Sequence, residues 1–193
     1  MLDCLPRCAT AIVSALGAIL LSPSFAQAAE DALSKAAGED VQLVMRHAIA
    51  PGTGDPDEFT LGDCSTQRNL SETGREQAAA IGRKLEEAGV KVDVVYSSEW
   101  CRARQTAELL GLAPVESASF LNSFFEDRTE AARQNRAFRN KLEELAEEGR
   151  KALFVTHQVN ITELTGVYPA SGEIVLITLD ENGEVEPGGS IHE

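Results

Sequence analysis

Two of the three histidines in this chain close matching patterns: "VQLVMRH" ends on His47 and "KALFVTH" on His157. Each is a short, continuous apolar run of the kind that forms a buried strand. A neutral imidazole is a nucleophile towards phosphorus and divides one hard displacement into two easier ones. Arg46, Arg68, Arg75, Arg102 and Arg104 lie close in sequence to the two segments, in a chain of net charge −14. Guanidinium forks match phosphate oxygens in pairs and stabilise charge as a phosphoryl group transfers. Nearby positive charge also favours the neutral imidazole. A metal held by His47 and His157 is disfavoured, because no acidic third ligand is evident and arginines repel a cation. No cofactor is expected.

The elements around these residues must bring them together. After a polar lead-in, Val41–Met45 reads as a strand, followed by a Gly-, Pro- and Asp-rich loop from Pro51 to Asp63. "LSETGREQAAAIGRKLEEAG" is a helix with Ser71 as N-cap and Gly89 just past its end. "VDVVYSS" is a second strand and "EWCRARQTAELLG" a second helix, ending at Gly111. Ala113 to Phe125 is irregular and aromatic. A long polar helix then runs to Gly149, followed by the strand before His157, a short helix in "QVNITELTG" and a last strand in "GEIVLITLD". Asn182-Gly183 marks a tight turn, and the tail beyond Glu186 is expected to be loose. Alternating strands and helices predict an α/β fold: a three-layer α/β/α sandwich around a mostly parallel sheet. In such sheets ligands bind outside the carboxyl ends of the strands. If the two histidine strands are neighbours, both imidazoles face one crevice.

Arg7, an apolar segment and the small residues of "SFAQAAED" have the layout of a secretory signal. Cleavage is expected near Ala28, with Ala26 as the alternative. The apolar run is shorter than the ~20 residues that span a bilayer, which disfavours a membrane anchor. The expected organisation is therefore a signal peptide at 1–28 and one domain at 29–193, with its core at about 41–186. Periplasmic or secreted localisation follows, with no stable membrane insertion after cleavage. Removing Asp3 and Arg7 leaves the net charge at −14, which argues against nucleic acid as a partner. Cys64 and Cys101 remain in the mature chain. An even pair in an exported protein reads as one disulfide, with two free thiols as the alternative. A thiol phosphatase needs arginine six residues after its cysteine, and those positions hold Leu70 and Ala107.

Taken together, the motifs resemble the histidine phosphatase superfamily, in the branch that includes phosphoglycerate mutases and small bacterial phosphatases. "MRHA" is similar to the family's strand-end Arg-His-Gly, with Ala48 in place of glycine. "LSETGREQA" resembles the start of its first helix, "SSEWCRARQTA" its Ser-x-x-x-Arg-Ala-x-x-Thr-Ala pattern, and "VTHQ" its second histidine segment. The resemblance runs from about Val41 to Thr178. It implies that His47 is the phosphorylated nucleophile, that Arg46 and Arg102 are phosphate ligands, and that His157 holds the phosphoryl group.

The general acid departs from the pattern. Mutase-like members carry Leu-x-Glu where this chain has Leu121-Asn122-Ser123, and serine cannot protonate a leaving oxygen at neutral pH. Glu126 and Asp127 are candidate replacements, or else carboxylates favoured by a helix N-terminus. Arg68 and Arg75 are candidates for substrate contact or for the surface. Arg104 lies roughly 200° around a helix from Arg102, so only one of them faces the site, and Arg102 is the one expected there. Trp100, Phe124 and Phe125 either wall the pocket or pack in the core. The expected function is an exported phosphomonoesterase acting on a small phosphorylated substrate, an envelope sugar phosphate among the options. The alternative is an inactive relative that binds phosphate or another anion.

Overall fold

The computed structural model describes residues 25–192. Of the expected leader, residues 1–24 lie outside the described ones. Six strands form one sheet: β1 (Gln42–Arg46), β2 (Val94–Ser97), β3 (Val115–Ser117), β4 (Ala152–Thr156), β5 (Ile174–Leu179) and β6 (Val185–Ile191), in the spatial order β3-β2-β4-β1-β5-β6. The first four of that order run parallel, and β5 and β6 run antiparallel to their neighbours.

The helices are α1 (Phe25–Ala36), α2 (Glu72–Glu87), α3 (Cys101–Leu110), α4 (Ala131–Glu148) and α5 (Gln158–Thr165). Successive side chains of a strand point to opposite faces, and the core divides accordingly. Leu43, Met45, Leu153 and Val155 meet Ala36 of α1, Leu85 of α2 and Ala107 of α3. Val44, Phe154 and Val175 meet Phe138 and Leu142 of α4 and Ile161 of α5 on the other face. This is the expected sandwich. Among the described residues no helix is long and apolar enough to cross a membrane.

Three elements differ from the sequence reading. The lead-in forms α1, which buries Ala32 and Ala36. The carbonyls of its last residue, Ala36, and of Gly38 just beyond it accept from the Lys151 ammonium. The aromatic stretch contains β3, a three-residue edge strand paired with β2. The tail beyond Glu186 is not loose: β6 turns back after Gly183 (φ 77°) and pairs with β5 as far as Ile191. The core therefore extends beyond 41–186 at both ends.

Candidate active site

β1 and β4 are parallel neighbours with Arg46 opposite Thr156, so the next residue of each strand is a histidine at the same sheet edge. The His47 amide donates to the Thr156 carbonyl at 2.9 Å. The two rings lie edge to face with centroids 5.5 Å apart, and both side chains are buried.

The chain leaving His47 is held by the helices that carry the recurring motifs. The Ala48 amide donates to the Thr106 hydroxyl (3.0 Å), and the Ile49 amide to the Gln77 side-chain oxygen (3.0 Å). Ser71 caps α2 by accepting from the Gly74 amide, and its own amide donates to the Ile49 carbonyl. Gly74 packs so closely on Ile49 that a Cβ there would lie 2.0 Å from the carbonyl oxygen. The Ser-x-x-Gly-x-x-Gln spacing and Thr106 thus fix the backbone after the nucleophile candidate. Ala48 needs no left-handed conformation, since no described non-glycine residue has positive φ.

The hydrogen bonds assign the imidazole protons. Nδ1 of His47 donates to the Ala48 carbonyl (2.8 Å), which leaves the lone pair on Nε2, 3.3 Å from Nε of Arg102. The Ser98 hydroxyl donates to Oδ1 of Asn122 (3.2 Å), so it accepts from Nε2 of His157 (2.9 Å). Nδ1 of His157 then carries the lone pair, 3.5 Å from Nη2 of Arg102. Burial, and next the Arg102 charge, lower the His47 pKa to about 3. The same two causes hold His157 well below the usual histidine value. Both imidazoles are neutral bases near neutral pH.

Arg102 is buried and presents two forks. Its end-on fork is taken by Asp55: Nη1 donates to Oδ1 at 2.7 Å and Nη2 to Oδ2 at 3.0 Å. Its side-on fork, Nε and Nη2, faces the two imidazole lone pairs over the longer distances above. Asp55 also accepts from the Trp100 indole (3.0 Å) and the Arg68 amide (3.1 Å). Arg46 lines the same cavity; one of its nitrogens donates to the Pro169 carbonyl, and its buried Nε has no partner. The cavity measures about 200 Å³ and also takes in the first residues of α5. Among the described residues no three His, Cys, Asp or Glu side chains gather as ligands for a metal ion.

The structure brings Arg46, His47, Arg68, Arg102, Glu126 and His157 around this cavity. Arg68 reaches it, but its guanidinium donates to the carbonyls of Ala50 and Gly54 and so ties down the loop. Arg75 turns outward to Glu72, and Arg104 is an exposed partner of Glu108. Asp127 is corrected: it is an exposed cap of the turn Arg128–Glu130, accepting from Thr129, and does not line the cavity. Its pKa is lowered by those bonds, the opposite of what a proton donor needs. Trp100 and Phe125 line the cavity, whereas Phe124 is buried. Cys64 and Cys101 form a disulfide. Asp55 and the Ser98–Asn122 pair were not foreseen. Asp55 sits in a polar loop where an acidic residue carries no spacing signal, and Asn122 occupies the variable middle position of the family's Leu-x-Glu, where no residue type is specified.

A family model described as the histidine phosphatase superfamily (branch 1) matches residues 60–122. Over that stretch the chain is similar to this superfamily. The match contains Arg102 and stops short of both imidazoles, which the sheet geometry places. The mitochondrial serine/threonine-protein phosphatase Pgam5 of Drosophila persimilis is 38% identical over 65 residues, 34% of this chain and 22% of that protein. The 2,3-bisphosphoglycerate-dependent phosphoglycerate mutase of Bartonella henselae is 49% identical over 39 residues, 20% of this chain and 19% of that one. The aligned stretches thus cover no more than 22% of either relative. In fold, the chain is similar to the protein histidine phosphatase SixA complexed with tungstate, with a TM-score of 0.58 and 21% identity over 78% of this chain and 96% of that one.

Proposed function

We propose that this protein is a metal-independent phosphomonoesterase that works through a phosphohistidine on His47. The observation that carries this reading is the pair of buried, neutral imidazoles whose lone pairs converge on one face of Arg102. A phosphoryl group seated there exchanges the long contacts to the side-on fork for shorter, charge-assisted bonds. The partnerless Nε of Arg46 supplies a further donor. Nε2 of His47 then attacks phosphorus and the bond to the ester oxygen breaks. The leaving oxygen takes a proton, and water later cleaves the N–P bond to regenerate the imidazole. A protonated oxygen of the phosphate monoanion donates to Nδ1 of His157, which is oriented through its Nε2–H by Ser98 and, behind it, Asn122.

Glu126 is the carboxyl group at the cavity that we assign as general acid. One observation favours a second reading, an anion-binding protein without turnover: Ser123 lines the cavity at the place of the family's glutamate. Export to the periplasm or beyond is part of the proposal and is supported by the disulfide, which persists in oxidising compartments. A small phosphorylated substrate, an envelope sugar phosphate among them, fits the cavity size.

Incubation with p-nitrophenyl phosphate, followed by an alkaline quench, tests the reading. Turnover and an alkali-stable, acid-labile phosphoprotein that is absent from His47→Ala are expected. Phosphate binding without either leaves the anion-binding reading.

A further inference from the structure

The cavity that holds the imidazoles is bordered by four aromatic rings that the phosphoryl chemistry does not use. Trp100 stands edge-on to His157 with centroids 5.5 Å apart, and Phe59 stacks on its other side at 5.0 Å. The indole plane is fixed by its bond to Asp55. Phe125 and Tyr168 line the same cavity from two different connections and are 50% and 74% exposed. Among the described residues only Leu61 joins them as an exposed large hydrophobic side chain. Uncovered aromatic area of this kind, continuous with a polar site, is area that a ligand can bury.

The charges around the rings narrow the choice. Arg102 is engaged by Asp55 and the imidazoles, Arg68 by two carbonyls, and Arg46 by Pro169 and the proposed phosphate. Once one phosphoryl group is seated, the cavity has no other arginine or lysine in its lining, and Glu126 adds no positive charge. A second anionic group on the substrate finds no partner there and meets the field of a protein carrying −14.

We infer that the part of the cavity bordered by Phe125, Tyr168 and the Phe59–Trp100 stack is a leaving-group subsite for an uncharged ring. The substrate class is the monophosphate ester of a ring-bearing alcohol that presents a flat C–H or π face. This rests on the phosphatase reading for the phosphate end alone, and it separates such esters from phosphorylated acids and bisphosphates.

Non-hydrolysable phosphonates test the subsite independently of turnover. Calorimetric titration of the full chain compares methylphosphonate, benzylphosphonate, cyclohexylmethylphosphonate and phosphonoacetate, with inorganic phosphate as reference. Benzylphosphonate is expected to bind about tenfold tighter than methylphosphonate, the size of one aromatic contact, and phosphonoacetate weakest of the four. A matching gain for the cyclohexylmethyl compound assigns the subsite to any apolar ring face, and a gain confined to the benzyl compound assigns it to aromatic rings. In Phe125→Ala and Tyr168→Ala, both at exposed positions, the benzyl-to-methyl ratio should fall several-fold towards one. Equal binding of the methyl and benzyl compounds, or tightest binding of phosphonoacetate, overturns the subsite and leaves the phosphatase reading standing. If neither inorganic phosphate nor any phosphonate binds, the phosphate pocket itself is refuted, and the subsite with it.

Discussion

Asp55 grips the end-on fork of Arg102 at 2.7 and 3.0 Å, and this contact aims the side-on fork at His47 and His157. Arg102 is 3% and Asp55 11% exposed at the side chain, so neither is free to seek another partner. Removing one member of a buried ion pair leaves the other desolvated and unmatched, at a cost of about 3–5 kcal/mol. Asp55→Ala should lower stability on that scale, read as a reduced urea midpoint. Asp55→Asn keeps the shape but removes the counter-charge and one acceptor. It should fold, with kcat/KM reduced at least tenfold because the guanidinium is no longer held in one orientation. Full activity in Asp55→Asn would show that Arg102 orients itself.

The segment from Asp55 to Cys64 is fastened to three consecutive residues at the start of α3, Trp100, Cys101 and Arg102. Phe59 and Asp55 hold Trp100, Cys64 holds Cys101, and Asp55 holds Arg102. The bridge spans 37 residues, and on the chain-entropy model closing such a loop stabilises the fold by about 4 kcal/mol. The double variant Cys64→Ser/Cys101→Ser should therefore melt well below the parent. If the bridge also steadies Arg102, kcat/KM should fall at temperatures where the variant is still folded. A lowered Tm with unaltered turnover would confine the bridge to stability.

The strand-tip histidines were legible because a buried parallel strand is an apolar run, and the end of each is marked by two polar residues, Arg46-His47 and Thr156-His157. Ser71, Gln77 and Thr106 were legible as a pattern but not as a mechanism; only the fold shows that they bind the backbone at Ala48 and Ile49. β6 was hidden by its own composition. "VEPGGSI" carries a proline and two glycines, residues that a strand tolerates at a sheet edge or beside an irregularity. β6 is an edge strand, and its register with β5 shifts at Leu176/Ile177. β3 is too short for periodicity to register. Asp55 was invisible for a different reason: its meaning comes from Arg102, 47 residues away.

The neutrality of the two imidazoles has a consequence for stability. An unfolded histidine titrates near 6.5, whereas His47 in the fold titrates at about 3, owing first to burial and then to Arg102. His157 is lowered in the same direction, and Arg46 and Arg68 add to both effects. Between the two values the unfolded chain binds protons that the native chain does not, so stability rises with pH through that window. It is fully present above 6.5 and is lost as the pH falls towards 3. Each imidazole should contribute about 1.4 kcal/mol per pH unit. Unfolding curves from pH 7 to 4.5 should show the loss, and His47→Gln should have a slope shallower by about that amount. Parallel slopes would mean that His47 is protonated in the folded protein.

Glu126 is the carboxyl group at the cavity that Asp127 is not, and its role can be separated from mere presence by the leaving group. A p-nitrophenolate departs without a proton, whereas a primary alkoxide needs one as the P–O bond breaks. General acids contribute about 10²–10⁴-fold to such steps. Glu126→Gln should therefore reduce kcat on benzyl phosphate by at least a hundredfold and change kcat on p-nitrophenyl phosphate little. Because the N–P bond is cleaved in a later step shared by both esters, the difference must arise in the transfer to His47. Rapid-quench measurement of phosphoenzyme formation locates it there. An equal loss on both esters would place Glu126 in substrate positioning. No loss on either would mean that the proton comes from water, and that the absence of a carboxyl group at position 123 is a change of mechanism.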